Sequence, residues 1–487
     1  MLALAAGGAA AAALTSLPGC STRGSREAED TPAPAPTGTA RPGATTHPEP
    51  GPAELRSSDG LLRATLVVRP ELIAHGAGSR WALTVNGRTP GPTLRLRPGD
   101  RLQLTIDNQT GHSTNLHTHG LRVSPEGNSD NPFIEIKDGE RFEYDIQLPR
   151  DHPGGTFWYH PHLHHHVAEQ LFAGFFGPIV VEDDVDALPA LATARDRLVL
   201  LHDTRIGSTE AAVIGASPMD QRMGRQGEVL VNGERQPVFR AEAGRLERWR
   251  VLNASSSRFY RLTLDAHPFH VIATDAGRLA APREAAELAL VPGERLELLV
   301  QPKTAGAYSL RTLATSRGSM GMAGGAITTP ESQLATFEVA GSASPASLPA
   351  TLAALEDLRT LPQPRTREVV FSMQGQMGGA AFLIDGKSFS GDRVDIRLAA
   401  GTVEDWIVRN TSPMDHPFHL HVWPFQLMES SSAGPVKSVE WKDTVNVPAN
   451  SWVRLRIPFT AITGKTVFHC HILDHEDLGM MATIEVR

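Results

Sequence analysis

His469-Cys470-His471-Ile472-Leu473-Asp474-His475 is the stretch from which the rest of the chain is best understood. In an extended strand, residues i and i+2 point to one face and residue i+1 to the other. His469 and His471 then face one way and Cys470 the opposite way. A thiolate on one face can bind one metal ion while the imidazoles on the other face bind a second. Two histidines and a cysteine with a weak axial methionine form the donor set of a blue-copper site. The candidates are His416, Cys470, His475 and Met480.

The same spacing recurs upstream in His117-Thr118-His119, His160-Pro161-His162 and His416-Pro417-Phe418-His419-Leu420-His421. Ten histidines, one cysteine and one methionine thus stand in company suited to a cluster of copper ions. Ordinary packing accounts for one such pair, but not for four in one chain.

A turn-and-strand pattern also repeats. Asn86-Gly87 leads through Pro98-Gly99-Asp100 to Asn108 and the first histidine pair. Asn232-Gly233 leads through Ala243-Gly244 and Trp249 to Asn253 and His267-Pro268-Phe269-His270. Asp385-Gly386 leads through Ala400-Gly401 and Trp406 to Asn410 and His416-Pro417-Phe418-His419. Three copies mean three domains of one fold, and short strands with regular turn signals indicate β-sandwiches. The middle copy has Ile272 where a third histidine would stand and no cysteine after it, so His267 and His270 read as structural.

These motifs resemble, in kind and in order, those of three-domain multicopper oxidases of the bacterial laccase and cuprous-oxidase type. They are His-X-His-Gly at 117–120, His-X-His at 160–162, His-X-X-His-X-His at 416–421 and His-Cys-His-X3-His-X4-Met at 469–480. The resemblance implies an all-β chain of three consecutive cupredoxin-like Greek-key β-sandwich domains, at 55–190, 191–345 (without copper) and 346–487. It also implies four copper ions. His416, Cys470 and His475, with Met480 axial, would hold type 1 copper. His117 and His419 would hold type 2. His119, His160, His162, His421, His469 and His471 would hold the type 3 pair, in a trinuclear cluster between the first and third domains.

The implied activity is one-electron oxidation of phenols, aromatic amines or similar reductants at type 1 copper. Cys470 would couple it to four-electron reduction of dioxygen to water at the cluster. Cu(I) oxidation for copper detoxification is the alternative. A copper nitrite reductase has no type 3 pair, and non-catalytic copper-binding relatives typically lose ligands, so both fit the complete set less well. Glu476, beside His475, matches an acidic residue the family uses near the cluster. Asp130, eleven positions past His119, matches a second, although an insertion from Pro125 to Ser129 interrupts the match.

Composition agrees. A length of 487 residues suits about three domains. Gly 44 and Pro 36 suit many turns, and a net charge of −8 provides no basic field for nucleic acid. With Cys470 assigned to copper, the second cysteine, Cys20, has no partner for a disulfide. Residues 1–20 read as an export signal ending in a lipobox-like Leu17-Pro18-Gly19-Cys20, with Cys20 as a possible lipid anchor. Residues 21–54, rich in Pro, Thr, Ala and Gly, read as a disordered tether. An extracytoplasmic monomer is expected, lipid-anchored or secreted.

Other residues carry weaker signals. His164, His165 and His166 are expected to be exposed non-ligands, and Trp158 and Tyr159 to pack under the cluster. Asp443 either accepts a substrate proton near type 1 or caps a turn. Met219, Met223, Met320, Met322, Met373, Met377 and Met414 form close pairs or lie near ligands. Thioethers prefer Cu(I), yet 11 methionines in 487 residues is ordinary, and filling gaps in cores is the plainer role.

Overall fold

The computed structural model describes residues 51–319, 325–362, 364–375 and 381–487. The expected export signal with Cys20, residues 21–50 of the expected tether, and Met320, Met322 and Met377 lie outside the described residues. Glu54, at the end of the expected tether, opens a short strand, Glu54–Arg56, that pairs in parallel with Thr93–Leu96.

The repeated turn has the same geometry in all three copies. Asn86, Asn232 and Asp385 take φ of 53°, 55° and 51°, and the glycines that follow take 77°, 84° and 72°. Two successive left-handed residues make the tight hairpin turn that Asn-Gly and Asp-Gly favour. Each side-chain oxygen accepts a hydrogen bond from a neighbouring strand: Val67 N to Asn86 at 2.8 Å, Leu200 N to Asn232 at 2.9 Å and Val370 N to Asp385 at 2.8 Å.

Each copy builds a two-sheet sandwich. In the first, four strands run in the order Gly78–Val85, Leu61–His75, Arg101–Asn108, Arg141–Gln147. The facing sheet runs Glu54–Arg56, Thr93–Leu96, Gly177–Val181, Gly155–His160, His117–His119. The second sandwich has six- and five-stranded sheets, and the third seven- and five-stranded ones. The last of these runs Ile396–Leu398, Met481–Val486, Gly464–Cys470, His416–Leu420, Thr444–Val447. Non-consecutive neighbours in every sheet are the crossovers of a Greek key.

Each sandwich encloses its own apolar core, with Trp249 at the centre of the second and Trp406 at that of the third. A smaller cluster joins Trp158 and Leu171 of the first domain to Leu252 of the second and Leu473 of the third. Full burial of such a side chain contributes about 1.5–3 kcal/mol, so this junction holds the domains in register.

Charge reinforces the docking. Glu297 is buried, 2.6 Å from both Arg248 and Arg250, and is also paired with Arg278. Burial alone would raise its pKa, but the three guanidiniums hold it well below the usual range. Thr156 of the first domain donates to the same carboxylate at 2.9 Å. Removing one partner of such a buried network typically costs about 3–5 kcal/mol.

Candidate metal centres

The histidines come together because two antiparallel strand pairs meet. His117–His119 pairs with Gly155–His160, with His117 opposite His160 and His119 opposite Trp158. His416–Leu420 pairs with Gly464–Cys470, with His419 opposite His469 and Phe418 opposite Cys470. Strand alternation then turns the imidazoles of each pair to one face.

Eight imidazoles converge, each at most 1% exposed. His117 stacks on His421, and His119 on His419, both with ring centroids 3.8 Å apart. His469 Nε2 lies 3.2 Å from His162 Nε2 and 3.3 Å from His421 Nε2. His471 lies edge-on to His119 and His160, at 5.0 and 5.6 Å. The ligand nitrogens of His117, His119 and His160 lie within 4.8 Å of one another, as do those of His162, His421 and His469.

This arrangement fits metal ions. His117 Nε2, His119 Nδ1, His160 Nε2, His419 Nε2 and His421 Nδ1 are buried without a hydrogen-bond partner. Burial, joined by the charge of neighbouring imidazoles, pushes His119, His160, His419, His421 and His471 well below the usual histidine range and His162 to about 3. At 3.2–3.3 Å the facing ring nitrogens of His469, His162 and His421 are placed where a cation could be held between them.

The outward nitrogens are anchored, as metal-binding imidazoles require. His117 Nδ1 donates to Asp130 at 3.0 Å, His160 Nδ1 to Pro161 O at 2.8 Å and His419 Nδ1 to Asp443 O at 2.9 Å. Asp130 is itself fixed by Thr118 N at 2.9 Å. The insertion at 125–129 closes as a turn, with Ser129 N bonded to Glu126 O and Asp130 N to Ser124 O, and this returns Asp130 to His117. Glu476 is fully buried, with one oxygen 2.9 Å from His469 Nδ1 and the other 3.5 Å from His162 Nε2.

On the opposite face of the strand, Cys470 Sγ lies 3.3 Å from His416 Nδ1 and 3.9 Å from His475 Nδ1. The two Nδ1 atoms are 3.2 Å apart. Their Nε2 atoms donate outward, His416 to Ser412 Oγ at 2.8 Å and His475 to Arg222 O at 3.0 Å. Ile472 N points at the sulfur from 3.4 Å. Phe382 stacks on His475 at 4.0 Å. Met480 is fully buried, and its backbone bonds both to Cys470 N and to His475 O.

Two expectations need correction. Trp158 does stack on His160 at 4.2 Å, but Tyr159, the next residue along the strand, turns into the first domain's core and donates to Pro92 O. Asp443 is not at the cysteine site. Thr444 pairs with His419 rather than His416, which carries Asp443 to the histidine cluster, with its Oδ1 3.2 Å from His119 Nε2. Of the three histidines expected to be exposed, only His165 is; His164 and His166 are half-buried, and none of them falls in a potential metal group among the described residues.

The sequence offered no sign of Arg295. This second-domain residue grips Asp443 with two hydrogen bonds of 2.7 and 2.6 Å. It explains Gly120 in the His-X-His-Gly motif. At φ +89, a Cβ there would run into the Arg295 guanidinium and lie 2.8 Å from Asp443 Oδ2. Gly293, also of the second domain, passes so close to His471 that a Cβ would lie 3.0 Å from its ring.

Three β-sandwiches holding a buried cysteine–histidine site and an eight-imidazole cluster define a copper-dependent oxidase. Models of the multicopper oxidase family match residues 68–186, 207–330 and 362–487, and the chain belongs to that family. It is 27% identical to Multicopper oxidase mco of Staphylococcus aureus over 413 residues, 83% of each chain. It is 31% identical to Cell division protein FtsP of Edwardsiella tarda over 370 residues, 74% of this chain and 76% of that one. The solved multicopper oxidase of Campylobacter jejuni, described as a metallo-oxidase, superposes with a TM-score of 0.79 at 30% identity, covering 90% of this chain and 96% of that one. The domains are therefore cupredoxin-like, and the chain is a copper-containing oxidoreductase of the laccase type that couples oxidation of a reductant to reduction of dioxygen.

Proposed function

We propose that His416, Cys470 and His475, with Met480 axial, hold type 1 copper. In this reading His117 and His419 hold type 2, and His119, His160, His162, His421, His469 and His471 hold the type 3 pair. That makes four ions, with the trinuclear cluster between domains at 55–190 and 346–487. The supporting observation is the strand ending at Cys470, which sets the thiol against His416 and His475 while His469 lies among the cluster imidazoles on its other face. Bound copper would accept electrons singly at type 1 and deliver four to dioxygen at the cluster, with release of two waters.

The chain's own groups do the rest. The peptide links from Cys470 to His469 and His471 give a short covalent path between the centres. Asp130 fixes the tautomer and tilt of His117. Burial of the eight imidazoles excludes bulk water, so protons must be handed in by side chains. Glu476 is placed to do this. Burial works to raise its pKa, but charge on His469 and His162 outweighs this and holds it down at about 2, so it rests as a carboxylate that would take up protons and pass them on in turn.

Phenols, aromatic amines or similar reductants are the proposed donors. Of the described methionines, Met414 is fully buried and Met373 packs against the third domain's core, as gap-filling methionines do. Cu(I) oxidation is the second reading. It is favoured by half-exposed Met219 and by Met223, both on the helix Pro218–Met223 whose Arg222 carbonyl meets His475, and by the metallo-oxidase description of the Campylobacter jejuni protein. The purified protein should carry four copper atoms per chain and show the intense blue thiolate–copper band with the near-ultraviolet absorption of a type 3 pair. A colourless protein, or one holding a single copper, would reject the assignment.

The proposed location is outside the cytoplasm, with Cys20 as a lipid anchor. The apolar run before Cys20 and the Pro/Thr-rich stretch after it support this. The full chain should fractionate with the envelope and Cys20→Ala should release it. Enzyme recovered from the cytosol with residues 1–19 still attached would show the location to be wrong.

A further inference from the structure

One buried charge near the cysteine site has no hydrogen-bond or ion-pair partner among the described residues. Arg317, in the second-domain strand Thr315–Ser319, is 3% exposed, yet none of its three side-chain nitrogens has a hydrogen-bond partner. Buried charges in proteins are normally paired or bound to metals. Arg295, equally buried, commits its nitrogens to Asp443, Thr156 O, Gly293 O and Asp275 O.

The strand carrying Arg317 is pressed against the residues just ahead of His416. Asp415 N donates to Arg317 O at 2.9 Å, and Ser319 N to Pro413 O at 2.8 Å. Gly318, at φ +98, permits the approach, because a Cβ there would lie 2.7 Å from Met414 Cα. The guanidinium sits 5.8 Å over the ring of Phe259, which itself packs into the third domain's core.

Three acidic groups are near enough to act on Arg317: Cys470, Asp415 and Asp474. Both carboxylates are engaged elsewhere. Asp415 accepts from Ala449 N and Asn446 Nδ2, and Asp474 is held by Arg225 at 2.9 Å. The Cys470 thiol is the third group, and neither carboxylate bonds to the guanidinium. Burial pulls the guanidinium down only to about 10, so it stays charged at neutral pH.

We propose that Arg317 sets the reduction potential of the type 1 site, holding it high. With two neutral imidazoles and one thiolate, the site carries a charge of +1 with Cu(II) and 0 with Cu(I). The reductant supplies the electron, and no ligand is gained or lost. A fixed cation in a low-dielectric interior disfavours the +1 state relative to the neutral one. The middle domain, in this view, supplies the charge that tunes its neighbour's metal. The proposal rests on the type 1 assignment above. A wild-type protein without the blue band would overturn that assignment, whereas the measurements below address Arg317 alone.

The test is a poised titration of the blue band against a one-electron mediator in wild type, Arg317→Gln, Arg317→Met and Arg317→Lys. The neutral variants should show a reduced-to-oxidised ratio about tenfold lower at equal mediator poise, which is about 59 mV for one electron. Arg317→Lys, which keeps the charge, should stay near wild type. An unchanged ratio in both neutral variants overturns the proposal. The copper-free protein provides a second measurement that does not need a loaded site. Arg317→Met removes an unpaired buried charge and should unfold at higher denaturant than wild type. Earlier unfolding would mean that the guanidinium is partnered, and would equally overturn it.

Discussion

Replacement of Cys470 by serine is expected to abolish the blue colour and lower oxidase turnover by about a thousandfold or more, the scale seen when one member of a group acting as a unit is deleted. Cys470 is fully buried with both candidate imidazoles within 3.9 Å. Burial pushes its thiol pKa up, so the thiolate exists there only because a cation is bound. A hydroxyl is both harder and less acidic, and it cannot replace the soft donor. Because His469 and His471 leave the strand on the opposite face, the cluster should keep its copper. Copper analysis should therefore show loss of about one ion of four per chain. A serine variant with wild-type turnover on phenols would remove Cys470 from the electron path.

Glu476→Gln should leave reduction of the type 1 site fast and slow reoxidation by dioxygen about 10²–10⁴-fold, the usual weight of a positioned general acid. Glutamine keeps the shape and the contacts to His469 and His162 but carries no exchangeable acid proton. A purely structural Glu476 would alter copper content or stability instead. Stopped-flow traces of reduction and reoxidation, with copper content measured alongside, separate the two. The wild-type pH dependence belonging to this carboxyl should vanish in the variant. Reoxidation at the wild-type rate would end the assignment of a proton-delivery role to Glu476.

Alternation at two-residue spacing makes the histidine sets legible in the sequence. It predicts that His469 and His471 part from Cys470, and the turns at Asn86, Asn232 and Asp385 signal three copies of one sandwich. What escaped depends on tertiary register. Asp443 stands 27 positions after His416, and only the pairing of Thr444 with His419 shows which centre it serves. Arg295 and Arg317 are single charges in strand segments of a domain whose own histidine run is incomplete, with no local pattern to mark them. Tyr159 was legible in principle, since the alternation that sends Trp158 toward His160 sends its neighbour away. Gly120 and Gly293 are glycines for what passes over them, which the chain itself does not announce.

His162 and His469 lie 307 positions apart, and His119 and Asp443 lie 324 apart. Loop-closure entropy disfavours such contacts until everything between them has folded. The histidine cluster is built only where the first and third sandwiches meet across the middle one. Whatever free energy copper contributes there is realised as adhesion between domains rather than as stability within any one of them. Copper held there would act as a clasp on an already folded chain, and its removal would first loosen the seam between the outer sandwiches while leaving their individual cores intact.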